Sequence, residues 1–82
     1  MTDEQKLKKL ISFLEGIDIG VKSDRGNFKG GLVRYYDEKS IYLNRRLDTE
    51  ARLRLIVNEI KQLNIDESFD EDILKIINET DN

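Results

Sequence analysis

Apolar residues change their spacing twice along this chain, and that change restricts its architecture to a small class. Near the start, Leu7, Leu10, Ile11 and Leu14 fall at helical intervals and form one stripe of a helix over about Asp3 to Glu15. The interval then drops to two: Ile17, Ile19 and Val21 alternate with Asp18, Gly20 and Lys22, as in a half-buried strand. Leu32 to Tyr36 and Ser40 to Asn44 read as two more strands, the latter with Ile41 and Leu43 on one face and Tyr42 on the other. The helical interval returns with Leu53, Ile56, Val57, Ile60 and Leu63, and again with Phe69, Ile73, Ile76 and Ile77. The order is α-β-β-β-α-α, an α+β fold. It predicts a small, mostly antiparallel sheet covered by helices, in a single globular domain over residues 1–82.

The chain has no Pro, so Gly and polar clusters must set the element boundaries. Thr2 with Gln5 makes a capping box for the first helix, and Gly16 is placed to end it in the left-handed conformation. Ser23 to Lys29 is a polar loop around Gly26-Asn27, with Phe28 expected to anchor it on the sheet. Gly30-Gly31 opens the second strand, where glycine permits a bulge or a close backbone approach. Asp37-Glu38-Lys39 is a tight turn, so the second and third strands form an antiparallel hairpin. Asp48 or Thr49 caps the second helix. The third is expected to start after Ser68, with Glu71 at the capping-box position. Leu10, Ile11, Leu14, Ile41, Leu43, Leu53, Ile56, Val57 and Ile60 form the predicted core.

With 82 residues there is room for one core and none for a large internal cavity. There is no Cys and no His, hence no disulfide, no thiol nucleophile and no imidazole base to activate a hydroxyl. The polar start, Met1-Thr2-Asp3-Glu4-Gln5, is unlike a signal peptide, and runs such as Leu55-Ile56-Val57 are too short to span a bilayer. These features predict a soluble cytoplasmic protein with no membrane partner. The net charge of −3 conceals an asymmetry: residues 1–21 carry −1, residues 22–54 carry +4 and residues 55–82 carry −6.

The stretch Gly31-Leu32-Val33-Arg34, then Ser40-Ile41-Tyr42-Leu43-Asn44, then Asp48 through Leu63 resembles the minimal core of the ImmA/IrrE-type zinc peptidases. In that family a hairpin leads into a capped, Arg-containing helix that delivers His-Glu-x-x-His. By register, Asn58 and Gln62 stand here at the two His positions and Glu59 at the general-base position. The resemblance thus implies a degenerate relative with its zinc ligands lost. Amide oxygens are weak, hard ligands, and Glu59 would have no metal-bound water to deprotonate. The chain is also similar to short uncharacterised bacterial proteins sharing a Phe-Lys-Gly-Gly…Leu-Asn pattern, here Phe28 to Gly31 and Leu43-Asn44.

Two surfaces stand out. Leu55, Asn58, Glu59 and Gln62 form a candidate interaction face on the second helix, with Ala51 and Leu55 expected to pack under the third helix. Arg45, Arg46, Arg52 and Arg54 form the densest basic cluster, with Arg25, Lys29, Arg34 and three tyrosines nearby. Glu50 and Arg54 are set to pair at i, i+4. The acids Asp66, Glu67, Asp70, Glu71 and Asp72 lack the spacing of a calcium loop and read as helix-capping residues. The expectation is a non-catalytic interaction or regulatory module with no metal and no cofactor. Its partner would be another protein or a second copy of itself. The alternative is a small nucleic-acid-binding domain using the arginine cluster.

Overall fold

The computed structural model describes residues 1–26, 30–62 and 69–80. Helix α1 (Asp3–Gly16) leads into strands β1 (Ile19–Asp24), β2 (Gly30–Tyr35) and β3 (Glu38–Asn44), followed by helices α2 (Thr49–Gln62) and α3 (Glu71–Thr80). The predicted element order holds.

Each helix begins where a side chain satisfies backbone donors that no preceding turn can. Thr2 Oγ1 accepts from Gln5 N at 3.2 Å and Gln5 Oε1 accepts from Thr2 N at 2.9 Å, completing the capping box. Asp48 Oδ1 accepts from Ala51 N at 2.8 Å, and Asp70 Oδ1 accepts from Ile73 N at 2.8 Å. The N-cap of α3 is therefore Asp70; Ser68 lies outside the described residues, as do Leu63, Asp66, Glu67, Phe28 and Lys29. The end of α1 differs from expectation. Asp18, not Gly16, takes the left-handed conformation, at φ 64°. The helix ends at Gly16 with Ile17 as its C-cap; the amide of Asp18 then bonds Glu15 O at 3.2 Å, and a short polar side chain tolerates the left-handed backbone.

The sheet is mixed. Its order is β1-β3-β2, with β2 antiparallel and β1 parallel to β3. The hairpin forms as predicted, but its turn is one residue earlier. Tyr35 pairs with Glu38, leaving a two-residue loop of Tyr36 and Asp37 with φ 54° at Tyr36. The parallel pair departs from a mostly antiparallel sheet. Five residues separate β1 from β2, a reach of about 17 Å, whereas skipping one strand needs about 10 Å. The chain can thus place β3, with its fully apolar inner positions Ile41 and Leu43, in the protected centre.

Helices α1 and α2 cover one face of this sheet, and α3 packs on α1 and α2, with no strand beneath it among the described residues. Leu10, Leu14, Ile19, Ile41, Leu43, Leu53, Ile56, Val57, Ile60, Ile73 and Ile76 form the buried core, with Ile11 partly buried at its margin. Phe69 closes the entry to α3 against Phe13, ring centroids 5.2 Å apart. Ion pairs tie α3 to α1: Lys6 Nζ to Glu79 Oε2 at 3.0 Å and Lys9 Nζ to Asp72 Oδ2 at 2.5 Å.

These pairs give the attachment of α3 a pH dependence. The hydrogen bond from Lys9 holds the Asp72 carboxyl below its ordinary range, and the hydrogen bond from Lys6 does the same for Glu79. A lowered carboxylate pKa contributes stability that is complete above the ordinary carboxylate values and is lost as pH falls through the lowered ones. Both groups are exposed and screened, so the effect is small and salt-sensitive. The double variant Lys6→Met, Lys9→Met is expected to lose less stability than wild type across that acidic window at low salt. Parallel urea-melt pH profiles for the two proteins would contradict this.

Candidate functional site

The end of the sheet where β1 and β3 finish is the most constructed part of the surface. In the order β1-β3-β2, the chain leaving β1 must pass the C-terminal end of β3 before β2 can begin. Asn44, the last residue of β3 and 7% exposed, holds that passage. Its Nδ2 donates to Gly26 O at 2.8 Å, and its Oδ1 accepts from Arg46 N at 3.0 Å. Asp24 O accepts from Arg45 N at 3.0 Å, continuing the parallel pairing one step beyond the strands. One buried amide thus fastens the β1 exit to the turn between β3 and α2. A pocket lined by Arg25, Gly26, Asn44, Arg45 and Arg46 lies between them.

Sequence reasoning placed four arginines here, and the structure divides them. Arg45 and Arg46 project, exposed, from the turn. Arg52 reaches back and donates from Nη2 to Arg45 O at 3.2 Å, so part of its guanidinium is used to hold the turn; its Nε is buried with no partner. Arg54 pairs with Glu50 at 2.7 Å, as the i, i+4 spacing predicts, and faces elsewhere. Arg25 takes the vacated place through the β1–β2 connection. Arg34 lies in the part of β2 that pairs with Lys39, toward the far end of the sheet. The parallel strand pair brings Arg25 beside Arg45, and no local sequence pattern announces that.

Asn44 was part of a sequence pattern but had no assigned role. Replacing it with Ala removes two part-buried hydrogen bonds, to Gly26 O and from Arg46 N, at a cost of about 1–3 kcal/mol for the pair. Asn44→Asp is expected to cost as much, because the carboxylate still accepts from Arg46 N but faces Gly26 O without a proton. Chemical denaturation checks both; a loss of a few tenths of a kcal/mol in either variant would show that Asn44 does not fasten the turn.

The face proposed on α2 is only partly free. Leu55 does not pack under α3; it is half-buried against β2, where a Cβ on Gly30 would stand 2.8 Å from Leu55 Cδ1. Glu59 is half-buried too, and a Cβ on Gly31 would meet its Oε1 at 3.7 Å. Asn58 and Gln62 are exposed. The glycine pair serves close approach between strand and helix, as its sequence context suggests. Among the described residues no group of three or more His, Cys, Asp or Glu side chains is placed to hold a metal ion.

Sequence reasoning set Tyr42 on the other face of the sheet and named the three tyrosines beside the arginines, without delimiting that face. Ile41 and Leu43 point into the core, so Ser40 and Tyr42 point away from the helices. Register adds Gly20 and Val33 beside Ser40, Lys22 beside Tyr42, and Tyr35 beside Glu38. Lys22 Nζ sits 5.9 Å from the Tyr42 ring centroid. Val33 is 46% exposed, Tyr35 69% and Tyr36 83%, and the last two rings meet edge to face at 4.6 Å. No described element covers this face. Among the described residues no helix is long and apolar enough to cross a membrane. No family model, curated protein or solved structure matches the chain.

Proposed function

We propose that this protein is a non-catalytic binding module whose ligand surface is the sheet face opposite the helices. One observation carries the reading. Tyr36 occupies a left-handed backbone position at φ 54° while its ring is 83% exposed. A bulky residue there is an outlier costing about 1–2 kcal/mol, and Gly or Asn would fill the loop more cheaply. A strained aromatic that adds nothing to the core is accounted for by contact with something outside it. Val33, Tyr35 and Tyr42 continue that surface along the sheet. The lack of His and Cys in the chain argues for binding rather than catalysis and is compatible with a reducing cytoplasm. On this reading α2 is a scaffold. Its likeness to a zinc peptidase helix at Asn58, Glu59 and Gln62 would be ancestry without activity.

A photo-crosslinking residue at position 33 or 42 is expected to give discrete adducts in cells. The same residue at Leu74, exposed on α3, is expected to give none. Equal labelling from all three positions, or none from 33 and 42, would overturn the assignment of this face.

A further inference from the structure

We infer that the ligand of this face is a single-stranded nucleic acid, its phosphates held by Arg25, Arg45 and Arg46 and a base stacked on Tyr42; the inference rests on the proposed binding face. Charge supplies the first argument. The chain has more acids than bases, 17 against 14, and Lys6, Lys9, Lys75 and Arg54 all sit within ion-pair distance of a carboxylate. Arg25, Arg45 and Arg46 have no such partner among the described residues; nor do Lys8, Lys22, Arg34, Lys39 and Arg52, but the three arginines are gathered around one pocket. Asp24, the carboxylate next to Arg25 in the chain, accepts the Arg25 backbone amide at 2.7 Å. Three exposed guanidiniums left together in an acidic chain form a site complementary to phosphate.

Geometry supplies the second argument. Asp24 pairs with Asn44, and Lys22 with Tyr42 one step further into the sheet on the same face. The cationic end therefore leads directly onto the half-buried Tyr42 ring, with the Lys22 ammonium over its face where a stacking base would displace it. Beyond it lie Val33, Tyr35 and Tyr36, over a strand of seven residues or about 23 Å. A cationic end followed by one half-buried ring and then two exposed ones suits a polymer of alternating phosphate and base. A duplex hides its base faces, whereas a single strand offers them. An acidic peptide satisfies the arginines but brings no base to stack on Tyr42.

The test is fluorescence anisotropy of a short labelled oligouridylate and the matching oligothymidylate at about 50 mM salt, followed by a salt titration. Binding is expected with a log–log salt slope of about −2, from three phosphate contacts on a single strand. Arg45→Gln with Arg46→Gln is expected to lower that slope by about 1.4 units. Tyr42→Ala is expected to weaken binding about 5- to 150-fold, and Tyr42→Phe to restore it. Circular dichroism melts of each variant separate loss of contact from loss of fold. Equal affinity for a duplex or for polyglutamate, or a slope unchanged in the arginine variant, would overturn the inference. So would the absence of oligonucleotide binding by wild type; if adducts still formed from positions 33 and 42, the binding face would stand with a protein as its occupant.

Discussion

Ile56→Ala is expected to remove about 2–5 kcal/mol of stability, out of roughly 4–12 kcal/mol for a domain of this size. Ile56 is fully buried at the centre of α2, and its side chain belongs to the cluster joining α1, β3 and α3. Deleting its outer carbons forfeits their transfer energy and leaves a cavity that three packed layers cannot readily close. Leu74→Ala is the internal control. That side chain is 45% exposed on α3, and its removal is expected to cost no more than about 0.5 kcal/mol. Urea melts of the two variants measure the difference. A cost well under 1 kcal/mol for Ile56→Ala would mean that the apolar stripe of α2 faces another way.

The second large effect is expected at Gly30. Its backbone lies at φ +126°, and a Cβ there would stand 2.5 Å from Tyr42 O and 2.8 Å from Leu55 Cδ1. Leu55 can shift, but the Tyr42 carbonyl belongs to the central strand and cannot. Gly30→Ala therefore combines backbone strain with overpacking, roughly 1–3 kcal/mol from each. A single added methyl group should thus destabilise about as much as deleting most of a core side chain. Gly16→Ala is the matched comparison, since nothing lies within 4 Å of a Cβ there. It is expected to leave stability unchanged or raise it by up to about 1 kcal/mol. Indistinguishable melting temperatures for the two variants would refute the left-handed backbone at Gly30 and its close approach to the Tyr42 carbonyl.

Most of the fold was legible in the sequence because its signals are local. Thr2 and Gln5, Asp48 and Asp70 mark helix starts through bonds spanning three residues. The apolar stripes of α1 and α2 reappear in the buried core, with Ile11 shifted to its edge. The position of β1 was not legible, because a connection of five residues allows either an adjacent antiparallel strand or a skip across β3. That ambiguity carried over to the site. Arg25 meets Arg45 and Arg46 only through the parallel pair. Arg52 and Arg54, neighbours in the sequence pattern, leave the cluster for a backbone carbonyl and for Glu50. The candidate face on α2 failed for a related reason. Leu55 and Glu59 sit against the glycines of β2, a contact set by how closely glycine lets a helix approach and not by helical spacing. The open sheet face was half legible: alternation set Tyr42 opposite Ile41 and Leu43, but not whether a third helix would cover that side.

Whether that face is open in solution decides the account. Proton relaxation by a soluble paramagnetic chelate, measured on the side chains of the three strands, tests it directly. Val33, Tyr35 and Lys22 are expected to be strongly broadened and half-buried Tyr42 measurably so, while Ile41, Leu43 and Ile19 on the helix side are protected. If Val33 and Tyr42 were as protected as Ile41, another segment or a second copy would already occupy the surface, and the binding face would have to be sought elsewhere.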